Sequence, residues 1–90
     1  MQEKSLDFDL RSEHVRAARA LLKWTQEDLA QRSGVGVTTI NMWENDKTRP
    51  SRETKDQIFV AFVEAGIEFW NGGNPGVRLI RDRSLLDLPH

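Results

Sequence analysis

The chain has 90 residues, no cysteine, two histidines and a formal net charge of −1. That length bounds one domain with a modest core and no large catalytic cleft. Without thiols, and with His14 and His90 too few and too far apart for zinc, neither a metal nor any other cofactor is expected. No apolar run approaches a membrane span, and the opening MQEKSLDFDL is too acidic and polar for a signal peptide. A cytoplasmic protein that engages no membrane and is not an enzyme is the expectation.

Residues 1–11 read as an N-terminal arm, in which Leu6 to Leu10 alternates apolar and acidic and so suits either a strand or a disordered arm. A first helix is predicted over Ser12 to Lys23, with Ser12 as N-cap, Glu13 complementing the dipole, and Val15, Ala18, Leu21 and Leu22 at helical spacing. A second starts at Thr25, which caps it while Asp28 sits at the reciprocal capping-box position; Leu29 and Ala30 face inward and Gly34 supplies a left-handed C-cap. After a short turn Gly36 caps a third helix, whose Ile40, Trp43 and Glu44 share a buried face and which ends near Asn45 and Asp46. Pro50 and Ser51 mark a fourth helix, about Arg52 to Ala65, with Ile58, Phe59 and Phe62 as its apolar stripe and Gly66 as its stop.

Beyond Gly66 the period changes to two. Ile67 to Trp70 and Val77 to Ile80 read as strands around the turn NGGNPG, and residues 67–90 form a hairpin and tail. The predicted fold is thus mainly α: a compact bundle of four helices over residues 12–66, with a short C-terminal β-hairpin.

A near-neutral total is a poor footprint for phosphate binding, yet the charge is unevenly spread. Between Arg11 and Lys55 stand nine basic and six acidic residues, and the acidic flanks mask that excess. Two short helices joined by a glycine turn, with the small Ala30 four residues before Gly34 and Ile40 filling the gap, form a helix-turn-helix arrangement. The full run WTQEDLAQRSGVGVTTINMWENDKTRP closely resembles the Cro/repressor-like, or Xre, helix-turn-helix family of phage and bacterial regulators, over about Ser12 to Gly66.

The resemblance implies a compact four- to five-helix repressor-like DNA-binding bundle over residues 12–66, and sequence-specific binding of a double-stranded DNA operator, as a homodimeric repressor or autoregulatory switch on a pseudo-palindrome. It assigns Thr25, Gln26, Asn45, Lys47 and Arg49 to phosphates and Val37, Thr38, Asn41 and Met42 to base edges. It also pairs Arg19 with Glu44 beneath the reading head. Val37 and Met42 depart from a glutamine- or arginine-rich reader and offer only apolar contact, leaving Thr38, Asn41 and DNA shape to discriminate. Ile67, Phe69, Trp70, Val77, Leu79 and Ile80 exceed what a four-helix domain needs to bury and are expected to build the dimer, with docking of Leu85, Leu86 and Leu88 as another geometry.

Other readings stand beside these. One is an antitoxin-type regulator whose further partner is a small toxin protein; another is a helix-turn-helix retained as a protein-interaction module. Trp24 and Trp43 read as core rather than as base-stacking residues, while Trp70 is divided between core and dimer contact. Glu27 and Asp28 are adjacent on a helix and do not converge for acid-base work. NGGNPG lacks the Lys and Ser/Thr of a phosphate loop. His14 reads as a helix-surface residue and His90 as a chain end.

Overall fold

A computed structural model describes residues 8–71 and 75–80. Four helices are followed by an antiparallel hairpin: α1 Ser12–Leu22, α2 Gln26–Ser33, α3 Val37–Glu44, α4 Arg52–Glu64, β1 Ile67–Trp70 and β2 Gly76–Leu79. Among the described residues no helix is long and apolar enough to cross a membrane. Residues 1–7, residues 72–74 of the NGGNPG turn, Leu85, Leu86, Leu88 and His90 lie outside the described residues.

The helical periodicities converge on one core. Val15 and Ala18 of α1, Leu29 of α2, Ile40 and Trp43 of α3, and Ile58, Ala61 and Phe62 of α4 are all buried. Trp24 lies in the turn between α1 and α2 rather than on a helix, and stacks on Phe62 at 5.7 Å while Arg32 covers its ring. That turn is possible because Lys23 adopts a left-handed conformation, φ 59°, with the Trp24 amide donating to the Arg19 carbonyl. A left-handed lysine leaves no mark in the sequence comparable to Gly34, which holds φ 78° after α2 as expected.

Several boundaries differ from expectation. Arg11, not Ser12, is the N-cap of α1, with extended backbone; Ser12 is the first helical residue, and its buried hydroxyl donates to Asp46 at 2.6 Å. Phe8 to Leu10 form no strand, and Leu10 is buried in the core, so the boundary placed before residue 12 cuts through one packed unit. β2 begins at Gly76 and ends at Leu79, one residue earlier than Val77 to Ile80, because Gly76 pairs with Trp70. A Cβ on Gly76 would lie 2.6 Å from the Trp70 ring, so the glycine makes room for the indole across the pair.

The hairpin belongs to the same core as the bundle: β1 lies against α4 and β2 against α1. Ile67, expected at a dimer interface, is 2% exposed within the monomer and has no surface left to offer a second chain. Phe69 is likewise drawn inward, among Phe8, Phe59, Phe62 and His14, with ring centroids 5.5–5.9 Å apart. Val77 and Leu79 pack against the core too, which leaves Trp70 as the large exposed side chain of the hairpin.

His14 corrects the surface reading most plainly, being buried between Phe8 and Phe69. Its Nδ1 accepts from the Arg11 amide at 3.0 Å, and its Nε2 faces the Trp70 carbonyl at 3.4 Å. An acceptor Nδ1 and a donor Nε2 describe one neutral tautomer, which ties the start of α1 to the end of β1. Burial pushes the imidazole below its ordinary pKa, outweighing the opposing pull of the Trp70 carbonyl and of Glu13.

Because the unfolded chain takes up a proton at His14 first as pH falls, stability should be full above about pH 6.5 and decline as pH drops through the lowered folded value. Urea melts between pH 8 and pH 5 should show this slope in the wild type, and His14→Asn, which keeps an acceptor near the Arg11 amide but does not titrate, should flatten it. Parallel curves for the two proteins would refute the assignment.

Candidate nucleic-acid interface

Local chemistry fixes α2 and α3 relative to each other. The Thr25 hydroxyl accepts from the Asp28 amide and the Asp28 carboxylate accepts from the Thr25 amide, both at 2.9 Å, so the expected reciprocal cap is present. At the far end the Ser33 hydroxyl donates to the Leu29 carbonyl, and Gly34 donates to Ala30. Buried Val35 then pins the turn, and α3 leaves from Gly36 with Ile40, Trp43 and Glu44 turned inward.

At the centre lies a carboxylate with almost no water. The Glu44 side chain is 4% exposed and is met by Arg19 from α1 through two parallel hydrogen bonds, Nε to Oε2 at 2.7 Å and Nη2 to Oε1 at 2.8 Å. The same guanidinium donates through Nη1 to the Trp24 carbonyl at 2.8 Å, which spreads it across α1, the turn and α3. Burial by itself would raise the Glu44 carboxyl, but hydrogen bonds from Arg19 and Gln26 and the charges of Arg19 and Arg16 hold it below the usual carboxylate value. The Arg19–Glu44 pair expected from the resemblance is therefore formed, and geometry rather than pairing energy is its main contribution.

The network continues outward. Gln26 Nε2 donates to Glu44 Oε1 at 3.1 Å, and Asn41 Nδ2 donates to Gln26 Oε1 at 3.2 Å. One turn on, Asn45 Nδ2 donates to the Asn41 carbonyl at 2.9 Å. Gln26, expected as a phosphate contact, thus has both ends of its amide engaged within the protein, a use that sequence spacing does not reveal.

The remaining expected contacts are on the surface. Thr38, Asn41 and Met42 are exposed along α3, whereas Val37 is half-buried. Thr25 opens α2, and Asn45, Lys47 and Arg49 follow α3; all four are exposed. Three further residues shape this region without having been foreseen. Arg16 donates to the Glu44 carbonyl, satisfying the C-terminal end of α3, and stands 4.0 Å from Asp46. Asp46, left-handed at φ 59°, accepts from Ser12 and lets the Lys47 amide close on the Met42 carbonyl. Lys55 reaches over the Trp43 ring at 6.0 Å and borders a polar cleft beside Lys47 and Arg49. Arg16 stands three residues before Arg19, and that helical spacing was the one available signal.

Residues 15–58 match the family model described as helix-turn-helix. The match runs from α1 into α4 and leaves out the hairpin. No curated protein matches the chain.

Removing Glu44 alone should cost about 3 kcal/mol or more, since Arg19 and Gln26 are left facing each other without their shared acceptor. The double replacement of Arg19 by Met and Glu44 by Leu should recover much of that loss. Urea melts of both single variants and the double variant measure the coupling, and additive costs would mean that the two side chains do not act as a pair.

Proposed function

Because residues 15–58 belong to the helix-turn-helix family of Cro/repressor-like regulators, we propose that the chain reads a double-stranded DNA operator with α3 and regulates a promoter, as a homodimeric repressor or autoregulatory switch. The observation that carries this reading is the solvent face of α3. Thr38, Asn41 and Met42 stand exposed in sequence along one short helix, braced from behind by Glu44 and Gln26 and followed at once by the exposed cations Lys47 and Arg49. Such a helix, entering the major groove by its N-terminal half, brings those three side chains to base edges, with half-buried Val37 contributing an apolar contact to a thymine methyl.

Backbone contacts divide by chemistry. Lys47 and Arg49 supply charge, while Thr25 and Asn45 supply neutral donors: the Thr25 oxygen accepts from Asp28, which leaves its hydroxyl hydrogen for a phosphate. A single module of this size buries too little surface for tight specific binding, and pairing on half-sites about 34 Å apart addresses that. In this reading Trp70, 45% exposed, is the dimer contact of the hairpin together with half-buried Ile80, and the protein acts in the cytoplasm. Trp70→Ala should then lower the association constant in sedimentation at temperatures where the variant is folded; an unchanged dimer would move the interface elsewhere.

Lys47→Ala should weaken binding to all duplexes alike and reduce the log-log salt slope by about one unit per half-site, as one released counterion is lost from each. Met42→Ala should leave that slope intact and cost about 1 kcal/mol or less on the preferred duplex, with almost nothing on random duplex. Titrations of each variant against both DNAs at several salt concentrations decide the matter. If the Met42 change weakens both equally, α3 is not the reader.

A further inference from the structure

The hydrogen-bond polarity of the α3 surface is set from inside the protein. Glu44 is an ionised carboxylate and only accepts, so Gln26 must turn its NH2 group toward it; the reversed amide would set oxygen against oxygen. Gln26 then shows Oε1 to Asn41, and an acceptor there obliges Asn41 to turn its own NH2 inward. At every link the alternative orientation loses a hydrogen bond and opposes two like dipoles. The chain Arg19–Glu44–Gln26–Asn41 therefore ends with the side-chain oxygen of Asn41, Oδ1, as the free acceptor on the exposed face of α3; no donor among the described residues is bonded to it.

We propose that the buried charge of Glu44, relayed through Gln26, makes Asn41 a hydrogen-bond acceptor toward DNA, so that it selects the exocyclic amine of adenine or cytosine. Adenine N6 and cytosine N4 are the donors that the major groove presents, whereas guanine offers N7 and O6 and thymine offers O4, all acceptors. An asparagine free to rotate serves either class equally; one held by Gln26 has committed one N–H inward and turned Oδ1 outward, so it favours the first. Gln26 is in this sense a positioning residue, acting on base choice through Asn41. The proposal rests on the reading of α3 as the helix in the major groove.

Selection by the wild-type protein from a randomised duplex library gives the preferred half-site, and selection by Asn41→Ala marks the base pair whose preference disappears. At that pair, purine in place of adenine, or 2-pyrimidinone in place of cytosine, should weaken wild-type binding about tenfold. Replacing the purine N7 of the same pair by carbon should change binding by less than about twofold. These measurements use the unaltered protein, so folding does not intervene. Gln26→Leu should broaden base choice at that one pair toward guanine and thymine while leaving preference elsewhere and the salt slope unchanged.

Loss of binding with the N7 analogue rather than the amine-lacking one would overturn the proposal, as would a Gln26→Leu protein with unaltered preference. If Asn41→Ala relaxes no position, Asn41 reads nothing and the proposal fails while DNA recognition by the chain stands. If the wild type enriches no sequence at all, sequence-specific recognition itself fails and the polarity of Asn41 has no object.

Discussion

A carboxylate taken out of water must be met by donors on every side, and Glu44 is the group around which this molecule answers that demand. Its two oxygens take Arg19 from α1 and Gln26 from α2, while its own backbone carbonyl takes Arg16. Three helices are thereby placed with respect to a single residue. An apolar side chain at the same position would pack against Trp43 and Ile40 without fixing the rotation of α3, because dispersion contacts tolerate sliding that a bidentate guanidinium does not.

That rotation matters because α3 is eight residues long and has little stability of its own. Its start relies on Gly36, which contributes no side-chain cap, so α3 is held by its end. There Arg16 donates to the Glu44 carbonyl, Asp46 turns left-handed, and Ser12 binds Asp46 across 34 positions of sequence. The N-terminal segment is drawn into the same arrangement, since Leu10 is buried beside it and the Arg11 amide is taken by His14, whose ring in turn meets Phe69 of the hairpin. Hairpin, α1 and α3 thus form one packed unit rather than a head with appended parts.

Much of this was legible in the chain because it is local. Thr25 with Asp28 and Ser51 before α4 declare helix starts through side chains that cap within three residues, and Gly34 declares the end of α2 through its own amide, which donates to the Ala30 carbonyl. The spacing of Ile40, Trp43 and Glu44 shows their common face, and the Arg19–Glu44 pair follows from resemblance. What was not legible depends on residues distant in sequence. Ser12 looked like a cap because serine usually is one, yet its partner Asp46 lies on another element. His14 seemed a surface residue because only the folded hairpin brings Phe69 and the Trp70 carbonyl to it. The apolar residues of the hairpin were counted as surplus for the same reason: a core estimated from four helices omits the face that α1 and α4 leave open, and Ile67 and Phe69 fill that face.

The separation of charge from the exposed face of α3 bears on how a chain of net charge −1 would engage DNA in the proposed way. Exposed Thr38, Asn41 and Met42 carry no charge, and the cations begin only with Lys47 in the loop that follows. Nearby carboxylates are largely spent on the protein: Glu44 on Arg19, Asp28 on the Thr25 amide, Asp46 on Ser12 and Arg16. Lys47 and Arg49 are exposed and beside a cleft to which Lys55 adds a third cation, so the local field there exceeds what the total suggests. On the proposed reading, each subunit then brings a small cationic loop that attracts any duplex and a neutral helix that discriminates between duplexes. Affinity of the first kind is screened by salt and that of the second is not. Two subunits double the attraction while requiring two half-sites to agree, so a weakly charged reader gains more specificity from pairing than a strongly basic one, for which non-specific binding already supplies most of the affinity.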